Sequence, residues 1–410
     1  MQMSVKPLPD DPRPARRPYV GVPFLNNFNI GTTGNIGMAD FVFKSSKPGY
    51  DLTTFMSPEV GAAEFLGGLH GKNRLDVYFN YNLFGFGFRA FGGVNAVELN
   101  LKSNTNASLP YELFEFAKEA GARDHYSMED IGVRSQNYLE LALGHSRRWN
   151  DRLTVGAKLK FLIGAVYADF SVDRMDVTMT DDAWTIRADG RLAAVVGKAQ
   201  FSYNDSDDPA TVDPERGPKV DGLDDYSFSL PGFGMAVDPG FTYRLLDNLT
   251  VSAALTDLGF IAWRDVNLAS SRGEYTFDGF SGIWVSGENE GNKLGDQFED
   301  LGDDLSRVFS VYDDGRGKRT QALAATLNVG DEYTMPFYGR LRVGFFYIFH
   351  QGMLAAMVHP VLWFEASLNT NCSSTGRQLG GMVSFRAPRF NFYIASDRMV
   401  WGSSENSTYR

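Results

Sequence analysis

LALGHSRRWNDRLTVGAKLKFLIG, residues Leu141 to Gly164, reads as two strands and the turn between them. From Leu153 one face carries Leu153, Val155, Ala157, Leu159, Phe161 and Ile163. The other carries Thr154, Gly156, Lys158, Lys160, Leu162 and Gly164. Alternation of this length is a strand signal. The preceding arm alternates too, with Leu139, Leu141 and Leu143 against Glu140, Ala142, Gly144, Ser146 and Arg148. Trp149-Asn150-Asp151-Arg152 between the arms has the composition of a tight turn. Arms of about ten residues match a tilted strand that crosses a bilayer.

The pattern recurs along the chain. Leu75, Val77, Phe79 and Tyr81 oppose Asp76, Tyr78, Asn80 and Asn82. Phe84, Phe86 and Phe88 then oppose Gly85, Gly87 and Arg89, and the switch of parity near Leu83 predicts a bulge. Val97, Leu99 and Leu101 oppose Glu98, Asn100 and Lys102. Phe233 to Leu245 leads through Asp247-Asn248 to Leu249, Val251, Ala253 and Leu255. Leu341 to Tyr347, Leu379 to Phe385 and Phe390 to Ile394 alternate in the same way. A soluble sandwich also alternates. Strand length, glycines on the polar face, and aromatics near hairpin ends (Trp149, Tyr243, Phe337) favour an antiparallel transmembrane β-barrel.

Composition narrows the classes. The chain has 410 residues and a formal charge of −11, so it lacks the basic stripe that a nucleic-acid binder needs. Its single cysteine, Cys372, excludes an intrachain disulfide and a cysteine metal cluster. A hydrophobic content of 43% excludes disorder throughout. The apolar run from Gly352 to Phe364 is interrupted by His359 and Pro360 and is too short for a membrane helix. Met1–Asp11 is polar and proline-rich, without the apolar core of a signal peptide.

Two short helices are expected. Ser108-Leu109-Pro110 suits the start of one over 109–120, with Leu109, Leu113, Phe116 and Ala117 on one side. The second fits Leu294, Phe298, Leu301, Leu305 and Val308. The long polar stretches near 170–230 and 264–320 are expected to be extracellular loops. The short turns at Asn150-Asp151 and Asp247-Asn248 would then be periplasmic. Glu288 to Asp314 holds nine carboxylates and reads as a solvated acidic loop, with calcium as the functional alternative.

Several segments carry a resemblance: YVGVPFLNNFNIG from Tyr19, NLFGFGFRA from Asn82 and LPYELFEFAKEAG from Leu109. To these are added the Leu141–Gly164 hairpin, GFTYRLLDNLTVSAALTDLGFIAW from Gly240 and FNFYIASD from Phe390. In this order they resemble an uncharacterised Bacteroidetes-type outer-membrane barrel family, a domain of unknown function. That family is similar in plan to fatty-acid transporter barrels and PorV-type barrels. The resemblance implies an all-β antiparallel barrel of about fourteen strands, or one or two fewer, with two short helices and long extracellular loops. It implies an N-terminal arm over 1–18, the barrel over 19–397 and a polar tail over 398–410. It also implies a bacterial outer-membrane location, the signal peptide having been removed. Family members run past the ASD segment into a last strand. The tail here is short and polar, so the closing strand is expected to be missing. The alternative is that the Phe390 strand pairs with Tyr19–Phe24, where Pro23 would weaken the seam.

Chemistry-bearing motifs are sparse. The five histidines are scattered, and no GxSxG elbow, P-loop or strand–GxGxxG–helix is present. The expectation is no catalytic residue, no enzymatic activity and no cofactor. Glu140, Arg148, Lys158 and Lys160 share polar strand faces and are the lumen-facing candidates. They read as a stiffening ion-pair network, or else as a charged constriction. The expected partners are the outer-membrane bilayer and a hydrophobic small molecule. The expected function is passage of small apolar or amphipathic molecules. The alternative is an interaction barrel that anchors surface or secretion partners.

Overall fold

The computed structural model describes residues 19–20, 27–37, 40–119, 122–180, 183–203, 212–213, 217–277, 310–335, 341–348, 351–361, 363–373, 376–387 and 390–396. The elements begin β1 (Tyr19–Val20), β2 (Phe28–Gly34), β3 (Val42–Lys44), β4 (Leu52–Thr54), α1 (Ala62–Leu66), β5 (Lys72–Ala90) and β6 (Gly93–Pro110). Next come α2 (Tyr111–Glu119), β7 (His125–Met128), β8 (Ile131–Arg148), β9 (Leu153–Met179) and β10 (Trp184–Val196). A small excursion holds β11 (Gln200–Tyr203), β12 (Val212–Asp213), β13 (Gly217–Pro218) and β14 (Val220–Asp224). The chain then continues through β15 (Gly232–Leu246), β16 (Leu249–Thr256), β17 (Leu258–Phe277), β18 (Tyr312–Ala322) and β19 (Thr326–Thr334). It ends with β20 (Leu341–Ile348), β21 (Gln351–Val361), β22 (Phe364–Ser373), β23 (Gly376–Ala387) and β24 (Phe390–Ser396).

One antiparallel sheet holds eighteen of these strands. Several are halves of a single row. β1 and β2 both pair with β5, and β7 and β8 both pair with β9. β10 and β15 together fill the row between β9 and β17, with the β11–β14 excursion inserted between them. β16 runs into β17, and β18 followed by β19 lines their far side. The described residues therefore lay out thirteen rows in one up-and-down meander, from β1–β2 to β24. Because the number of rows is odd, the first and last run in the same direction. Among the described residues β24 has a backbone ladder only with β23. The Tyr393 hydroxyl of β24 nevertheless donates to Asn27 Oδ1, just before β2, at 2.6 Å. The alternative pairing with Tyr19–Phe24 falls partly on residues 21–26, outside the described residues.

Bulges set which way side chains point. The register between β5 and β6 shifts at Leu83, where the parity of the apolar residues switches. A second shift between Asn137 and Tyr138 leaves Ala165 of β9 as the extra residue. The sheet is strongly curved. Lys102 of β6 and Asp257, between β16 and β17, lie four rows apart, roughly 19 Å along the sheet. Their charged atoms nevertheless stand 3.6 Å apart. The face they share is concave, and it is the face of Glu140, Lys160 and Leu162.

The concave face holds a packed cluster of Tyr138, Leu162, Tyr167, Ala193, Val195, Ala236, Ile261, Trp263 and Val266. Trp263 is wholly buried and stacks on Tyr167 with ring centroids 5.3 Å apart. Its indole lies on Gly164 and Gly232, which face each other across β9 and β15. A Cβ at either position would collide with the ring. This is what the glycines of the polar face provide: flat wall on which a large ring can lie.

The first predicted helix begins later than expected. The predicted start at Ser108 belongs to β6, which runs to Pro110, and α2 begins at Tyr111. The proline, which has no amide proton, ends the strand. α2 packs Leu113 and Phe116 against a cluster that holds Tyr126, Met175, Val177 and Ala188. Ala188 alternates with Ala193 and Val195 along the regular strand β10, so this contact lies on the face opposite the concave cluster. The predicted helix at 294–308 lies outside the described residues. The polar stretches 170–230 and 264–320 are not loops throughout. β9 runs to Met179, β10 covers 184–196, and β17 runs to Phe277, because paired long strands carry the sheet past its apolar band.

Beside α2, α1 and the β3–β4 hairpin gather Phe41, Phe43, Phe55, Phe65 and Phe114. Here Glu59 accepts from the Ser46 amide at 2.8 Å and from the hydroxyls of Ser46 and Ser45 at 3.0 and 3.2 Å. The Ser46 amide, more than any other contact, holds the Glu59 carboxyl below the usual carboxylate range.

Two outcomes follow. Gly164→Ala and Gly232→Ala should each lower stability by about 1–3 kcal/mol through overpacking against Trp263. Thermal melts of the two variants check this, and unchanged melting would show that the indole does not rest there. The depressed Glu59 pKa means that its stabilisation is complete above the unfolded carboxylate value of about 4.3 and is lost as pH falls below it. Amide-exchange protection of residues 45–59 should therefore drop in acid before that of β8 and β9 does.

Candidate functional site

The concave face concentrates charge below the Trp263 cluster. Period 2 brings Glu98, Asn100 and Lys102 of β6 inward, with Glu140 of β8, Lys158 and Lys160 of β9, and Asp238 of β15. Asp257 arrives differently. It is the extra residue between β16 and β17, with φ of 57°, in the left-handed region where Asp is one of the better-tolerated residues. Its amide donates to Asp238 Oδ1 at 2.7 Å, so the break in the strand is satisfied by the cluster itself.

The two ammonium groups bind the three carboxylates together. Lys102 Nζ stands 2.7 Å from Glu140 Oε2 and 3.6 Å from Asp257 Oδ1. Lys160 Nζ stands 2.5 Å from Asp238 Oδ2, 2.7 Å from Asp257 Oδ1 and 3.7 Å from Glu140 Oε2. Asn100 donates to Glu140 Oε1 at 2.9 Å and accepts from Asn82 at 2.6 Å. Glu140 and Lys160 are buried, with 2% and 4% of their surface exposed. Burying a charge costs several kcal/mol per ion unless partners surround it. Lys102, Lys160, Glu140 and Asp257 each meet more than one opposite charge, and Asp238 meets Lys160 and the Asp257 amide.

The arrangement is layered. Below the cluster, Lys158 pairs with Glu98 at 2.8 Å. Above it lie Tyr138, Leu162 and Trp263. Higher still, Asp169 accepts from the Tyr167 hydroxyl and from Arg134, both at 3.0 Å. On the opposite side of the sheet order, Glu365 and Ser367 of β22 and Met382 and Ser384 of β23 are also buried.

Of the four lumen-facing candidates, Glu140 and Lys160 come together in the cluster. Lys158 joins Glu98 one layer lower. Arg148 stands apart at the β8–β9 turn, where it bonds the carbonyls of Asn150 and Asp151 at 3.3 and 3.2 Å. The cluster's other members were missed as a set. Lys102 and Asn100 lie on the expected polar face, but strand alternation does not say that β6 will meet β17. Asp257 stands at the β16–β17 break, where alternation fails, and Asp238 lies on the polar face of β15 beside Pro239.

Chemically, the cluster is a closed electrostatic lock. Its lysines are engaged by carboxylates rather than set beside a hydroxyl or thiol nucleophile. Among the described residues, no group of three or more His, Cys, Asp and Glu side chains is arranged to hold a metal ion. A sequence profile described as "Family of unknown function (DUF5723)" matches residues 13–397. No curated protein and no solved structure matches the chain.

Removing one partner should expose the cost of the others. Lys160→Met leaves three carboxylates around Lys102 and should destabilise by about 3–5 kcal/mol. Lys158→Met breaks a partly exposed pair and should cost at most about 1 kcal/mol. Denaturant titration of both variants checks the contrast, and equal costs would mean that water reaches Lys160.

Proposed function

We propose that this chain, which belongs to the family of unknown function DUF5723, forms a closed outer-membrane β-barrel that anchors interaction surfaces and is not an enzyme. One observation carries the membrane placement: the convex face is apolar and exposed from row to row. It presents Phe84, Leu141, Leu159, Met235, Phe260, Val329, Leu368, Val383 and Ile394, the last with 65% of its surface exposed. A water-soluble protein rarely leaves so continuous an apolar face uncovered. Facing lipid, it becomes the apolar band of a barrel wall. Closure is supported by the Tyr393–Asn27 hydrogen bond between the last and first rows. Two edges left apart in lipid would strand unpaired backbone groups at several kcal/mol each.

The anchoring role rests on the filled concave face. Trp263, Leu162 and the Lys160 cluster occupy it with close-packed or paired side chains, which favours a wall braced from within over an aqueous pore. At one end of the sheet α1 and α2 build structure beyond the wall, and the β11–β14 excursion leaves it midway along the β10–β15 row, in keeping with surfaces that meet partners. Passage of small apolar or amphipathic molecules is the second reading. It is favoured by the β24–β2 seam, where the described residues show no ladder and cargo could cross the wall.

Purified protein should need detergent, and it should migrate differently on gels when unboiled. Reconstituted in vesicles, it should not speed the entry of small sugars. Porin-like sugar entry would overturn the filled interior, and faster fatty-acid entry without sugar entry would favour the seam reading. A monodisperse, detergent-free protein would overturn the barrel itself.

The faces give a sharper check. Arg in place of Val155, Leu159 or Val251 should cost about 2–4 kcal/mol at mid-membrane depth and less near an interface. Arg in place of Thr250 or Lys158, on the concave face, should cost much less. Folding titrations into lipid vesicles measure the difference, and equal tolerance would mean that the faces or the solvent are misassigned.

A further inference from the structure

The outward face of β8 changes character abruptly at one level. Leu139, Leu141 and Leu143 point outward, and the next outward residues are His145, Arg147 and Trp149. Successive outward residues are about 6.8 Å apart along a strand. Leu141 and Leu143 are exposed apolar groups, and Trp149 is 72% exposed.

The polar residues below the leucines rest on a built ledge. The β5–β6 hairpin turns through Phe91 and Gly92, with φ of 57° and 70°. Two consecutive positive φ angles mark the tight turn that normally carries Asn-Gly. A phenylalanine there holds a left-handed backbone that L side chains rarely adopt, and it is 82% exposed. The next two glycines form a floor. The Arg147 guanidinium lies over Gly92, with its Cζ 3.8 Å from where a Cβ would stand. The His145 ring lies over Gly93, with its Nε2 3.1 Å from the same point on that residue.

The ring is held in place. Asn95 uses its amide NH2 on the Ala90 carbonyl at 3.0 Å, which leaves its Oδ1 to accept from His145 Nδ1 at 2.9 Å. Arg147 is exposed and has no carboxylate within ion-pair distance among the described residues, whereas neighbouring Arg148 pairs with Asp151. The result is an unpaired guanidinium directly beneath an apolar wall, flanked by two exposed aromatics, on a chain of net charge −11. Cation and apolar strip match the two parts of a membrane lipid.

We infer that this face binds a glycerophospholipid, with an acyl chain along Leu139, Leu141 and Leu143 and the headgroup phosphate on Arg147 beside His145. The inference rests on the barrel reading, which puts the convex face against lipid. Guanidinium pairs with phosphate oxygens through two parallel hydrogen bonds, which a carboxylate-paired arginine could not offer. Trp149 lies at the depth where aromatic residues collect at a membrane interface.

The test is native mass spectrometry of the full chain, purified in mild detergent and supplied with phosphatidylglycerol or phosphatidylethanolamine. Wild-type protein should retain phospholipid. Arg147→Gln should lower retention about tenfold or more, since a hydrogen bond to a charged group is worth about 1.5–3 kcal/mol. Arg148→Gln, one residue away on the concave face, should retain lipid like wild type. Retention of both lipids supports recognition of the shared phosphate. Equal loss from both arginine variants would show general basic attraction and overturn the site, as would equal retention by Arg147→Gln and wild type. An acidic peptide competing for Arg147 without displacing lipid would assign the face to a protein instead. Flotation of each variant with vesicles is measured in parallel. Wild-type protein that floats but holds no phospholipid overturns the site alone, whereas wild-type protein that does not float overturns the barrel reading.

Discussion

Lys160 can be buried only if carboxylates from other strands reach it. Asp238 comes from the adjacent row, and Asp257 from one row further. Lys102, on the other side, reaches the same Asp257. An ammonium group taken out of water without such partners would cost several kcal/mol. Curvature, burial and charge pairing are therefore one condition. If the sheet flattened, the carboxylates would separate and the lysines would be stranded. If the lysines were absent, three carboxylates would repel each other on the concave face.

The same curvature distributes the remaining side chains. On the concave side rings need flat wall, and glycines supply it: Trp263 lies on Gly164 and Gly232, and Tyr78 on Gly31. On the convex side Phe84, Leu141, Leu159, Phe260, Val329, Leu368 and Val383 are exposed. Bulges then reconcile the two faces along rows too long for unbroken alternation. The break at Asp257 adds an inward carboxylate without turning Leu258 and Phe260 inward. The extra residue at Ala165 lets Tyr167 stack on Trp263 instead of facing outward. Local strain and strand interruption thus appear where a side chain has to be aimed.

The two ends of the sheet are built differently. At one end α2 stands between the Phe65 cluster and the methionines of β9, bracing strands that continue past the apolar band. At the other end the turns at Phe91-Gly92, Trp149–Arg152 and Asp247-Asn248 are two to four residues long, and their exposed tips include Phe91 and Trp149. A wall filled on its inner side, apolar on its outer side and elaborated at one end suits a fixed support more than a conduit. The seam between β24 and β2 is the one region where the described residues leave that account open to a second reading.

Much of this was legible in the chain. Alternation around Leu153 and Leu139 determined the strands, their hairpin and their faces, because a side chain's direction in a strand depends only on parity. The parity switch at Leu83 even located a bulge. Glu140 and Lys160 were identifiable as inward charges for the same reason. What parity cannot contain is distance between rows. That Lys102 meets Asp257, that Arg148 lies away from the cluster, and that α2 packs on the face opposite Trp263 depend on how far the sheet curls. Curl is the sum of twists, bulges and packing over many strands. Asp257, at a strand break, became part of the site because the paired backbone on either side held it in place. The sequence determined which residues face in and which face out, since that follows from local geometry. Only the tertiary structure decided which inward residues touch, since that depends on every row between them.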